Sequence, residues 1–482
     1  MRHGFVPIAI VLAATMLSSG YQAVAEPFQP HTRAGGDVGA TQSHRLADKP
    51  NVLMIVSDDQ PTDQRSDLQQ YMPYLMRMVE QGIDFPNASV AYPLCCPSRA
   101  TGMSGRYSHN TDVKDLDTGW KLDPTTTVQY ALQEAGYNTA IVGKYLQGIR
   151  NTVRPPYFDC SATWLNPNYY HFKANVEGYM QEVDRYSTTY SGRKLRQCLE
   201  RFEASDEQPW YAYWAPHAPH KSTAYHGTAQ PEQKYRDADV PDCVAPGERN
   251  MSDKLPYLRH HSLRRKEVRR FCENAERALM TVDDEMARVV RWLRTNGESN
   301  TLVIYWSDNG VLSGQHNRIG KSVPYLPSVQ VPMFMWWPGH IDAGVDNRLA
   351  MNVDLAPTIL SAAGVQPQTL VDGQSLFGDP TRSVQYSESL IKKDLRVVLL
   401  PKWFQLLTPG AWAYIEDYLP SGRVYTEYYD LSTDPKQHHN LLGDSKTTND
   451  PPPEQLNLLH DQLQLARKCA GTQELGALNP CP

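Results

Sequence analysis

Five short runs of the chain are apolar almost without interruption: Asn51–Ser57 (NVLMIVS), 138–143 (NTAIVG), Trp210–Ala215 (WYAYWA), Thr301–Ser307 (TLVIYWS) and 331–337 (VPMFMWW). A strand with one wet face alternates apolar and polar residues, so runs this continuous belong to strands covered on both faces. Amphipathic segments lie between them. Residues 71–81 place Met72, Leu75, Met76 and Val79 on one face and stop at Gly82, and residues 126–135 stop at Gly136. Residues 262–294 carry Leu279, Val282, Met286, Val289, Val290 and Leu293 at helical spacing. Strand and helix alternate, which predicts an α/β fold with a large, mostly parallel sheet flanked by helices. Further on, 383–389, 395–400, 403–407 and 423–431 read as short strands of a smaller antiparallel sheet, followed by a helix over 453–468. Residues 50–364 are therefore assigned to a large domain and 365–482 to a C-terminal subdomain.

The beginning of the chain has one arginine, an apolar stretch over 5–17 and the small-residue triplet Ala23, Val24, Ala25. This is the pattern of an export signal cleaved after Ala25, with 26–49 as a loose leader. The apolar stretch is short of the roughly 20 residues a membrane span requires. The mature chain is therefore expected to be secreted or otherwise extracytoplasmic, with no membrane span. An oxidising compartment lets Cys160, Cys198, Cys243, Cys272, Cys469 and Cys481 form three disulfides, of which Cys469 with Cys481 is the pairing expected as a local clasp. A formal charge of −6 gives no case for a nucleic-acid partner, which needs a concentrated basic face. The cluster Arg264, Arg265, Lys266, Arg269 and Arg270 reads as the wet side of the long helix.

In open α/β sheets ligands bind beyond the carboxyl ends of the strands. There the chain places Asp58 and Asp59 after the first run, Lys144 after the second, His217 and His220 after the third, and Asp308 and Asn309 after the fourth. Asp58, Asp59, Asp308 and Asn309 are hard oxygen donors, suited to Ca2+ or Mg2+. Carboxylates converging without a cation would repel one another. Lys144, His217, Lys321 and Arg99 add positive charge to the same edge, as an oxyanion site needs, and His220 and His316 are further candidates.

The segment Cys95-Cys96-Pro97-Ser98-Arg99, running on to Gly105-Arg106, resembles the C-x-P-S-R signature of type I sulfatases of the alkaline-phosphatase-like superfamily. The likeness extends through NVLMIVSDDQ, LQEAGYNTAIVGKY, APHAP, TLVIYWSDNG, VPMFMWWPG, VDLAPTIL and YYDLSTDPKQHHNLL, or roughly residues 51–442. The resemblance implies that a maturation enzyme oxidises Cys95 to Cα-formylglycine (3-oxoalanine). It implies that Asp58, Asp59, Cys95, Asp308 and Asn309 hold one divalent cation, most often calcium in secreted members. Arg99 would hold the formylglycine hydrate, Lys144 and Lys321 the sulfate oxygens, with His217 at the leaving-group oxygen and His316 as a further substrate-binding residue. The implied reaction is hydrolysis of a sulfate ester, aryl or sugar, to an alcohol and inorganic sulfate.

Three departures stand out. Leu146 occupies a position where many members have histidine, Gly102 replaces a usual bulky apolar residue, and Leu326 stands where an acidic residue often follows tyrosine. CCPSR with GKYL is similar to glucosamine-6-sulfatases and endosulfatases, which points to a sulfated sugar. A phosphonate monoester or phosphodiester hydrolase of the same superfamily, and a non-catalytic binder of sulfated glycans with unmodified Cys95, are the competing readings.

Overall fold

The computed structural model describes residues 49–482 except 63–64, 166–167, 206–207, 260–262, 391–401 and 473–479. The expected export signal, all but the last residue of the leader, and the expected strand at 395–400 lie outside the described residues.

In chain order the strands are β1 (Asn51–Ser57), β2 (Ile83–Asp84), β3 (Asn138–Lys144), β4 (Cys160–Trp164), β5 (Phe172–Val176), β6 (Tyr179–Val183), β7 (Trp210–Ala215), β8 (Thr301–Ser307), β9 (Leu312–Ser313), β10 (Ile319–Gly320), β11 (Met333–Trp336), β12 (Gly344–Val345), β13 (Gln385–Ser389), β14 (Lys402–Thr408), β15 (Trp412–Tyr418) and β16 (Val424–Asp430). Ten of them form one sheet in the order β12-β2-β11-β8-β1-β7-β3-β4-β5-β6. Its centre, β8-β1-β7-β3-β4, is parallel throughout. Strand β1 shows why the apolar runs are continuous. Val52, Met54 and Val56 enter the core on one face of the sheet, while Leu53 and Ile55 enter the core on the other. Each such side chain contributes about 1.5–3 kcal/mol by leaving water.

Two expectations need correction. The run at 331–337 pairs antiparallel with β8 as β11, so the sheet is mixed toward that edge. Residues 71–81 are not one helix but the end of Arg65–Tyr71 and the whole of Pro73–Val79, because Pro73 cannot continue the first helix and opens the second. Asp283 accepts from the Tyr74 and Leu75 amides at 2.9 and 2.7 Å, satisfying the second helix's first free donors. The long helix, Arg265–Asn296, and the C-terminal helix, Pro453–Ala466, lie where their periodicity places them.

Strands β13 to β16 form a four-stranded antiparallel sheet. One of its faces shares a core with Tyr107, Met351 and Val353 of the preceding part of the chain. The other packs on Tyr325 and Val329. Three disulfides join neighbouring cysteines, Cys160–Cys198, Cys243–Cys272 and the expected Cys469–Cys481. Cys95 and Cys96 are free and buried.

Candidate active site

Because β1, β3, β7 and β8 run parallel, their carboxyl ends share one edge, and the residues after them meet. Asp59, the second residue beyond β1, takes a left-handed φ of 65°. Its amide donates to Asp308 Oδ1 at 3.1 Å, and Asn309 Nδ2 donates to its Oδ1 at 2.8 Å. Gly143, with φ 109°, lets β3 end against β7, since a Cβ there would lie 2.0 Å from the Ala215 carbonyl oxygen. Lys144 then follows into the site.

Cys95 and Arg99 stand one turn apart on the helix Cys95–Ser104, which places both on one face. Pro97 is tolerated in its first turn, and Gly105 closes it with φ 66°. Arg99 is fully buried. Its Nε donates to Asp308 Oδ2 at 2.8 Å and its Nη1 to the Lys144 carbonyl at 2.9 Å, so the guanidinium ties two strand ends to the helix. Lys144 Nζ donates to Asp58 Oδ2 at 2.5 Å. Lys321 Nζ bonds Asp59 Oδ1, Asn309 Oδ1 at 3.0 Å and Cys95 Sγ at 3.4 Å. Thus Asp58, Asp59, Cys95, Arg99, Lys144, Asp308, Asn309 and Lys321 form one contiguous cluster.

His217 is buried with Nδ1 3.5 Å from Asp58 Oδ2, and neither ring nitrogen has a hydrogen-bond partner. His220 stands beside it, with Nε2 3.6 Å from Asp59 Oδ2. His316 is held elsewhere: Nδ1 pairs with Glu248 Oε2 at 2.7 Å and the ring stacks on Tyr325.

Burial raises the Asp58 carboxyl, but Lys144 and its other neighbours outweigh it and hold the group well below the usual range. Asp59 is likewise pushed down to about 2: burial raises it, but Lys321, His220 and Lys144 together outweigh burial. Burial prevails at Asp308, raising it to about 6 against the opposing charge of Arg99. Burial opposes the charge of Lys144 and Lys321, but the negative groups around them, Asp58 foremost at Lys144 and Asp59 at Lys321, together outweigh it and raise both. Burial lowers His217 and takes His220 to about 3, which keeps both neutral near pH 7.

The donor set fits a hard divalent cation. Ligand atoms of Asp58, Cys95 and Asp308 all lie within 4.8 Å of one another, and those of Asp58, His217 and His220 do so as well. Asp58 Oδ1 is buried without a hydrogen-bond partner. An orphaned carboxylate oxygen on a residue grouped with Asp308 and Cys95 is what a cation would satisfy.

The Sulfatase family model matches residues 50–365, about two-thirds of the chain. The chain belongs to the sulfatase family. Among the relatives of this sulfatase-family chain, a putative extracellular sulfatase Sulf-1 homolog of Caenorhabditis elegans is 30% identical over 362 residues, 70% of this chain and 50% of that protein. The arylsulfatase of Volvox carteri is 30% identical over 69% of this chain and 58% of its own length. The human N-acetylglucosamine-6-sulfatase is 29% identical over 71% and 66%. The chain thus spans about half to two-thirds of these relatives. Among solved structures, BT4656 in complex with its substrate D-glucosamine-2-N,6-O-disulfate superposes with TM-score 0.69 at 20% identity, covering 87% of this chain and 98% of that one. The phosphonate monoester hydrolase of Silicibacter pomeroyi gives 0.68 at 18% identity, covering 86% and 96%. These structures share the fold.

One residue of the pocket escapes sequence reasoning. Gln147 Oε1 lies 3.9 Å from Cys95 Sγ. Leu146, at the unusual position, is instead buried in the core. The missing histidine was the signal: the polar partner of Cys95 sits one residue later. Gly102 has its reason in Trp306, whose Cζ2 would lie 2.9 Å from a Cβ at that position.

Proposed function

We propose that this chain hydrolyses sulfate monoesters, releasing inorganic sulfate, with Cys95 matured by a dedicated enzyme to formylglycine and one divalent cation, Ca2+, held by Asp58, Asp59, Asp308, Asn309 and residue 95. The observation that carries this reading is the contact of Cys95 with a cluster of three carboxylates and three cationic side chains at one sheet edge. The two groups would supply a hydrated aldehyde as nucleophile and a positive centre that eases its ionisation.

The rest is work for side chains. Arg99, Lys144 and Lys321 match the charge of Asp58, Asp59 and Asp308, so a bound divalent cation would make the pocket positive and favour an anion. Lys144 and Lys321 bind the sulfate oxygens. His217, buried beside Asp58 with ring nitrogens that have no hydrogen-bond partner, is available to hydrogen-bond through its N–H to the leaving oxygen as charge develops there. Arg99 fixes the orientation of Asp308 and, one turn along the helix from residue 95, would hold the hydrate formed there. Relatives named for extracellular and glucosamine-6-sulfatase activity support a sulfated sugar as substrate and an exported site of action.

Comparing kcat/KM for matched aryl sulfate, phosphate monoester and phosphate or phosphonate diester tests the reading, with the sulfate ester expected to be preferred. A diester preferred by orders of magnitude would replace it with the phosphohydrolase alternative. Chelation should abolish turnover and Ca2+ should restore it.

A further inference from the structure

Lys321 is the one cation of the pocket that neither follows a strand of the large sheet nor lies on the Cys95–Ser104 helix. It follows β10, and the segment after it, 322–326 (SVPYL), has backbone groups that no regular element satisfies. Three of them, the Ser322 and Pro324 carbonyls and the Leu326 amide, find their partners in the C-terminal sheet and the loop beyond it. Trp403 Nε1 donates to the Ser322 carbonyl at 3.1 Å, and Gln405 Nε2 donates to the Pro324 carbonyl at 2.9 Å. The Leu326 amide donates to Gln437 Oε1 at 2.7 Å. Trp403, Gln405 and Gln437 are all buried. Trp403 and Gln405 stand two apart on β14, so one face of that strand presents both donors.

Ser322 is the hinge of this arrangement. Its φ is 69°, a left-handed conformation that a residue with a side chain adopts at a cost unless its surroundings enforce it. Its hydroxyl donates to the Pro93 carbonyl at 3.2 Å, two residues before Cys95, while its own carbonyl is held by Trp403. One residue thus links the C-terminal sheet, the approach to Cys95 and the lysine beside it.

We propose that Trp403 and Gln405 are positioning residues that aim Lys321 at the pocket, which makes the C-terminal sheet part of the catalytic apparatus. The inference rests on the reading of that pocket as a sulfate site. Misplacing a binding group by about 1 Å can cost on the order of a hundredfold in rate, so donors outside the pocket can govern turnover.

The test is a double-mutant cycle on the full chain with an aryl sulfate, joined to hydrogen–deuterium exchange of residues 321–326. Trp403→Phe keeps the ring and removes the donor; Gln405→Leu serves if that variant does not fold. Each should lower kcat/KM roughly tenfold with Lys321 present and less than about twofold in a Lys321→Ala background, because residues acting through one another are not additive. Exchange at 321–326 should quicken while that of β1 stays unchanged. Equal losses in both backgrounds, or unchanged exchange, would overturn the proposal. If the unaltered protein turns over no sulfate ester, the functional reading fails and exchange alone decides the positioning.

Discussion

At the scale of single residues, two adjacent cysteines differ in what surrounds them. Cys95 Sγ touches Lys321 and Gln147 and lies with Asp58 and Asp308. Cys96 points to the Gln147 carbonyl at 3.5 Å, and burial pushes its thiol up to about 12, so it stays protonated and inert. Cys95→Ala is therefore expected to abolish turnover and Cys96→Ala to preserve most of it, measured as kcat on an aryl sulfate. Equal losses would mean that the pair has been misassigned. Gln147→Leu should lower kcat about tenfold, the scale of one hydrogen bond, with KM little changed; an unaltered kcat would remove Gln147 from the site.

At the scale of elements, the Cys95–Ser104 helix packs so closely on β8 that Gly102 meets Trp306. Gly102→Val should overpack this contact and cost about 1–3 kcal/mol, read as a lowered Tm; an unchanged Tm would contradict the packing. The central strands were legible in the sequence because burial on both faces leaves an unbroken apolar run, and the acidic cluster followed because parallel strands send their ends to one edge. Strands β5 and β6 were not legible. They form a hairpin turning on Glu177 and Gly178, both at positive φ, and β6 is exposed along most of its length, so no apolar run marks it. Gln147 and the donors Trp403 and Gln405 were hidden for another reason: their roles depend on contacts between distant segments, which periodicity does not encode. Lys321 was visible as a charge, but what holds it was not.

At the scale of the molecule, the C-terminal sheet is joined to the large one by buried polar bonds as well as apolar packing. His109, near the end of the segment that begins with Cys95, bonds the β13 carboxylate of Glu388 through its amide at 3.0 Å and through Nδ1 at 3.1 Å. Burial opposes protonation of His109, but the charge and hydrogen bond of Glu388, with the Cys469 carbonyl and Asp372, together outweigh it and raise the imidazole above its usual range. A raised folded-state pKa stabilises fully below about pH 6.5, the unfolded value, and that contribution is lost as pH rises through the folded value. Tm should accordingly decline as pH rises from 6.5, and His109→Gln should flatten that decline; identical profiles would show that the bridge does not join the two parts. The central claim concerns Cys95 itself, and the most direct measurement is the mass of tryptic peptide 78–99 from active protein made in a host with the maturation enzyme. An aldehyde is expected at residue 95, the CH2–SH of cysteine having become CHO with loss of sulfur and two hydrogens and gain of one oxygen, and a thiol at Cys96. An intact thiol at Cys95 in protein that turns over sulfate esters would contradict it.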